Sequence, residues 1–155
     1  MKEYPINIYL ARCCHFHGDK KTDPYSYENA YQLYFCVNGQ IELNCEEKNL
    51  SLSNGETVIV VPGMIQELRH CNGEILDIRF SVAEQYLVQE LEHIAARKIV
   101  CEQAKPLFLQ IAELSKEGGG YSKRLQELQL ETAFYTILAN DPSFKKSTIR
   151  KSFAL

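Results

Sequence analysis

The sequence predicts a mostly β fold with helices behind it: an antiparallel sandwich or barrel over residues 1–82, then α-helices. Three observations predict this. Apolar and polar residues alternate in short runs through the first half of the chain. Turn signals recur at intervals of about ten residues, the spacing of an all-β domain. After Val82 the apolar period lengthens to that of a helix.

Ile6, Ile8 and Leu10 open the first strand. Residues 18–29 are polar, contain Pro24 and read as a loop. Residues 30–37 form a strand with apolar groups on both faces, and Asn38-Gly39 is a strong two-residue turn signal. Ile41, Leu43 and Cys45 alternate with Glu42, Asn44 and Glu46, so the next strand has one wet face. The chain turns at residues 46–49, and Leu50 and Leu52 lie on a return strand. Asn54-Gly55 is a second turn. Residues 57–61 (TVIVV) are apolar or β-branched throughout and are predicted to be buried on both faces, with Pro62-Gly63 as their stop. A short strand at 66–70, a turn at 71–74 and a strand at 75–82 complete the β half. In that last strand Leu76, Ile78, Phe80 and Val82 share one face, and Asp77, Arg79 and Ser81 share the other.

Helices are predicted at 83–96, 104–117 and 121–140, with a short extended piece at 97–101. Pro106 suits a first helical turn. Gly118-Gly119-Gly120 separates the last two helices, and Asp141-Pro142 ends the third. That third helix carries two apolar stripes. Leu125, Leu128, Thr132 and Tyr135 lie on one, and Leu130, Phe134, Ile137 and Leu138 on the other. Packing on a single barrel uses one stripe, so the second is free for another helix.

A chain of 155 residues, 45% hydrophobic and 24% charged, is long enough to bury a core and too apolar for disorder. No apolar run reaches the roughly 18 residues of a membrane span. The N-terminus lacks the pattern of an export signal, so a cytoplasmic location and six reduced cysteines are expected. The net charge is −3. Residues 141–155 hold four cations against one carboxylate, or +3, which leaves −6 on residues 1–140. The body of the chain is therefore a poor nucleic-acid ligand by itself.

Residues 30–82 resemble the ligand-binding cupin domain of AraC-type transcription regulators. The matching residues are Tyr31, Leu33, Phe35, Gly39, Leu52, Gly55, Glu56, Val58 to Val61, Pro62, Gly63 and Phe80. The helices follow in the same order, so the resemblance covers most of residues 4–140. It implies a cupin-like jelly-roll barrel (1–82) that binds an effector and a helical region (83–140) that dimerises. It also implies a basic linker (141–155) towards a DNA-binding half outside this chain. Such a domain has no catalytic residues and no cofactor. Its partners are a small-molecule effector, with a sugar as one option, and a second copy of the chain. It contacts DNA only through the other half and does not engage a membrane.

The resemblance places effector contacts at His15 or His17, at Gln66 and Leu68, and at Asp77 and Arg79, with Tyr31 and Tyr34 as an aromatic platform. A chain without tryptophan lacks the family's usual platform for a sugar. For Asp77 and Arg79 a solvated outer face is the other reading. The dimer contact would use Leu125, Leu128, Thr132 and Tyr135. A stand-alone cupin metalloenzyme and a binding module without a DNA role are the alternatives. The metal reading needs two histidines, a glutamate and a third histidine. Here the glutamate slot is Gln32 and the third histidine slot is Gln66, both weak ligands. Cys13, His15 and His17 share one strand face, which reads as a partly exposed barrel edge ahead of the alternative, a zinc cluster.

Overall fold

The computed structural model describes residues 3–18 and 21–141. The basic stretch expected at 141–155 lies outside the described residues, apart from Asp141. Two long antiparallel strands form the spine. They are β2 (Tyr31–Cys45) and β5 (Gln66–Val82), paired from Tyr31↔Phe80 to Cys45↔Gln66. β1 (Ile6–Phe16) runs along the other edge of β5. β3 (Lys48–Leu52) and β4 (Glu56–Val60) follow one another along the free edge of β2, and β6 (Ile99–Val100) pairs with β4. The helices α1 (Gln85–Ile94), α2 (Lys105–Glu117) and α3 (Gly120–Asn140) come last. The result is an antiparallel jelly-roll barrel followed by C-terminal helices, as the alternation and its switch after Val82 predict.

The turns expected at Asn38-Gly39 and at 71–74 are not hairpins. Both are bends inside unbroken strands. Gly39 stands opposite Gly73, with φ of +107° and +104°. The two backbones touch at this point. A Cβ on Gly39 would sit 2.0 Å from the Asn72 carbonyl oxygen, and one on Gly73 2.2 Å from that of Asn38. An Asn-Gly pair supplies positive φ to a hairpin or to a bend alike. Here both strands pair with each other on either side of the glycines, so a bend results.

The bend folds the sheet over, and one face of its two halves encloses an inner core. Tyr34, Cys36 and Ile75 from one half meet Ile41, Leu43, Leu68 and Cys71 from the other. The opposite face of the first half packs on the helices. Leu33, Phe35, Leu76, Ile78 and Phe80 meet Leu91, Phe108 and Phe134 there. β4 is buried on both sides, as its unbroken apolar run predicts: Val58 and Val60 face inward and Ile59 faces the helices.

α1 begins two residues later than the periodicity indicates. Glu84 caps it by accepting from the backbone N–H groups of Tyr86 and Leu87 at 3.1 and 2.7 Å. α3 buries Leu130, Phe134, Ile137 and Leu138 and leaves Leu125, Leu128, Thr132 and Tyr135 exposed, so the two stripes have separate fates. No helix among the described residues is long and apolar enough to cross a membrane.

Candidate ligand site in the barrel

Strand alternation sets the site. On β2, Tyr31, Leu33 and Phe35 face the helices, so Gln32 and Tyr34 point into the barrel. On β5, Leu76, Ile78 and Phe80 face the helices, so Asp77 and Arg79 point inward too. The register sets Gln32 beside Arg79 and Tyr34 beside Asp77. On the far side of β5, Arg12 of β1 lies opposite Asp77. The segment before β2 closes the group. Tyr25 bridges to Gln66 through reciprocal backbone bonds of 2.9 and 2.8 Å, while the Thr22 N–H donates to the Leu68 carbonyl and the Thr22 hydroxyl accepts from the Leu68 N–H, both at 2.9 Å.

These residues form one hydrogen-bonded chain. The hydroxyls of Tyr25 and Tyr34 are 2.9 Å apart, and Tyr34 donates to Gln66 Oε1 at 3.1 Å. Gln66 Nε2 donates to Gln32 Oε1 at 2.8 Å, and Gln32 Nε2 donates to Asp77 Oδ1 at 2.8 Å. The carboxylate accepts only, which orients both amides. Its other oxygen lies 3.4 Å from Arg12 and 3.7 Å from Arg79. Burial raises the Tyr34 phenol well above its usual value and raises Tyr25 as well, so both remain neutral donors.

A cavity of about 270 Å³ opens above this network. Phe16, Ile41, Leu68, Cys71 and Ile75 form its apolar wall. Arg12, Tyr25, Tyr27, Asp77 and Arg79 supply its polar side. The Arg79 guanidinium lies 5.0 Å from the centre of the Tyr27 ring, a cation–π distance. Its Nε is buried with no hydrogen-bond partner among the described residues.

Of the residues expected at the site, the structure gathers Tyr34, Gln66, Leu68, Asp77 and Arg79. Tyr31 is elsewhere: it stacks on Phe80 at 5.4 Å on the helix-facing side, because it is out of phase with Tyr34 by an odd number of residues. His15 and His17 are exposed at the end of β1, with ring centres 4.5 Å apart. Their side of the strand is the one that carries Cys13, away from Arg12 and Phe16. The site also holds residues not expected from the sequence. Arg12 is on a strand whose inward face shifts at an irregularity between Ile8 and Leu10. Tyr25 and Tyr27 come from the polar stretch read as a loop, where their period of two was the available signal.

The donors do not suit a divalent metal. Gln32 and Gln66, in the two slots a metal cupin would fill with carboxylate and imidazole, are already bound to each other and to their neighbours. The one carboxylate faces two guanidiniums. At the outer cluster, the Cys13 thiol donates to Glu74 at 3.1 Å, and burial, then this carboxylate, push it up to about 12. Lys116 holds the same carboxylate at 3.1 Å. All six cysteines are free.

No protein family matches the chain, and no curated protein does either. Solved structures show partial likeness. KdgF from a Halomonas species is 18% identical over 48% of this chain and 69% of its own, with a TM-score of 0.41. An RmlC-like cupin from Shewanella frigidimarina is 21% identical over 46% of this chain and 63% of its own, with a TM-score of 0.38. The cupin domain of Cnp3 from Schizosaccharomyces pombe is 13% identical over 49% of this chain and 52% of its own, with a TM-score of 0.35. The fold assignment rests on the strand order and register described above.

Proposed function

We propose that this chain is the effector-sensing and dimerising module of an AraC-type transcription regulator, without catalytic activity. It binds a small molecule in the barrel and passes that occupancy to a DNA-binding half outside these residues. The observation that carries the binding role is the cavity: an apolar wall with convergent polar groups from four separate segments, which is how small-molecule sites are built. The regulator role draws on the family pattern in residues 30–82 and on the exposed stripe of α3, which suits a second copy.

A physical path joins the two ends. β1 carries Arg12 to the cavity. Four residues earlier, the Ile8 N–H donates to Glu127 of α3 at 2.8 Å. A ligand that draws on Arg12 thus acts on a strand tied to the dimerising helix. The response is a population shift between two arrangements of the paired modules, driven by their different affinities for ligand.

Two measurements test this. Extending the gene sequence past the codon for Leu155 should reveal, in frame, a pair of helix-turn-helix motifs; a stop codon there overturns the regulator role. Elemental analysis of untagged protein should find far less than one equivalent of zinc, iron or manganese. Near one equivalent overturns the non-catalytic reading in favour of a metalloenzyme.

A further inference from the structure

We infer that the barrel cavity takes a small organic carboxylate with an apolar body, its acid group held by Arg79 and Arg12; this rests on the small-molecule reading above. Three observations lead there. First, the charge of the lining is unbalanced. Two guanidiniums face the cavity against one carboxylate, Asp77, so the site carries a surplus positive charge that a neutral ligand would leave unmatched. Second, the unspent hydrogen-bonding capacity consists mainly of donors. Gln32, Gln66, Tyr34 and Asp77 satisfy one another. What remains is the buried Nε–H of Arg79, the outer N–H groups of both arginines and the Tyr27 hydroxyl, and a guanidinium has no acceptor. A sugar hydroxyl both donates and accepts, and would find few acceptors here. A carboxylate only accepts, and its two oxygens match the guanidinium fork. Third, the rest of the wall is apolar, from Phe16, Leu68 and Ile75, and offers a carbon skeleton somewhere to sit.

Access is consistent with this. The arginine side chains are 47% and 29% exposed, for Arg12 and Arg79, so both stand at the mouth of the cavity. Arg79 is also held in place by Tyr27 and by Asp77, so its fork is ordered before a ligand arrives.

The test is titration calorimetry with hexanoate and phenylacetate, against hexanamide and phenylacetamide as neutral isosteres, acetate as the acid without a body, and arabinose as a sugar. The same titrations are followed by NMR on ¹⁵N-labelled protein, reading the Arg79 Nε–H and the amides of Leu68 and Ile75. The acids should bind about tenfold or more tighter than their amides, the usual worth of one charge-assisted hydrogen bond. They should also bind tighter than acetate, and they should move the Arg79 Nε–H resonance. Arg79→Gln should lose about tenfold for the acids and little for the amides. If that variant does not fold, the wild-type resonance and the acid-to-amide ratio decide alone. Amides or arabinose binding as tightly as the acids, with shifts at Leu68 and Ile75, would overturn the carboxylate assignment and leave the small-molecule reading standing. Acetate binding as well as hexanoate would overturn the apolar body. If none of the probes shifts any of these resonances at millimolar concentration, both the carboxylate and the small-molecule reading fall.

Discussion

Single side chains carry opposing demands in this barrel. Tyr34 is a core residue that must also donate, and burial raises its phenol well above the usual value. Removing the hydroxyl while keeping the ring isolates the second demand. Tyr34→Phe leaves Gln66 Oε1 without its donor from Tyr34 and should cost about 1–3 kcal/mol at neutral pH, the range for a buried polar group that loses its partner. Chemical denaturation of the two proteins gives the value; equal stabilities would mean that the network is not closed as described. The pH dependence has a definite sign. The folded phenol titrates above the unfolded one, so its contribution is complete below the unfolded value near 10. It disappears as pH rises through the folded value. Stability should therefore fall on the alkaline side of about pH 10, and the fall should be shallower in Tyr34→Phe. Tyr25, raised for the same reason, adds to the loss in both proteins. Parallel slopes for the two proteins would contradict this.

Elements were legible in the sequence where a period ran unbroken, and much less so where chain segments meet. Leu76, Ile78 and Phe80 against Asp77 and Arg79 were separable because one strand has one phase. Tyr31 and Tyr34 lie on opposite faces of β2, a difference of phase that their shared aromatic character hides in the sequence. Arg12 was unreadable because an irregularity in β1 resets its phase, and Tyr25 because its pairing partner, Gln66, is far away in sequence. The glycine bend is the clearest case: Asn38-Gly39 signals positive φ, but only the opposing Gly73 turns that signal into a bend. The bend can be tested directly. Gly39→Ala puts a methyl group against the Asn72 carbonyl at a backbone conformation that L residues avoid. It should cost at least about 1–3 kcal/mol. A lowered urea midpoint checks this; an unchanged midpoint would show that Gly39 does not meet the Asn72 carbonyl at positive φ as described. Glu127 is a second feature hidden from periodicity. It lies among the buried residues of α3 and accepts from Ile8 N–H, with Arg124 at 3.4 Å. Glu127→Ala should cost about 1.5–3 kcal/mol through that charged hydrogen bond, and amide exchange at Ile8 should accelerate. Unchanged exchange there would show that β1 is held by other means.

At the scale of the whole molecule, the question is what meets the outer stripe of α3. Leu125, Leu128 and Tyr135 are 47%, 44% and 38% exposed, and Leu109 of α2 is 44% exposed beside them. The inner stripe is already committed to the barrel, so α3 has no further use for these side chains within one subunit. α2 packs against α3 without covering them. It leaves instead an apolar groove of about 430 Å³ bounded by Leu109, Leu114 and Leu125. Full burial of one such side chain contributes roughly 1.5–3 kcal/mol. These are about half buried, so each has roughly half of that left to gain. A twofold contact gains it on both subunits at once, which helps to offset the entropy lost on association. An isologous pair of antiparallel α3 helices satisfies this, since each groove faces the stripe of the other copy. The expected outcome is a dimer of about twice the 17.8 kDa chain mass in sedimentation. Leu125→Glu with Leu128→Glu should convert it to monomer. Both side chains lie outside the core, so the double variant should keep the melting behaviour of an isolated folded subunit. A wild-type chain that sediments as a monomer at high concentration refutes the dimer. A dimer that survives both charges places the contact on another face, and the path from Arg12 through Ile8 and Glu127 would then end away from the interface.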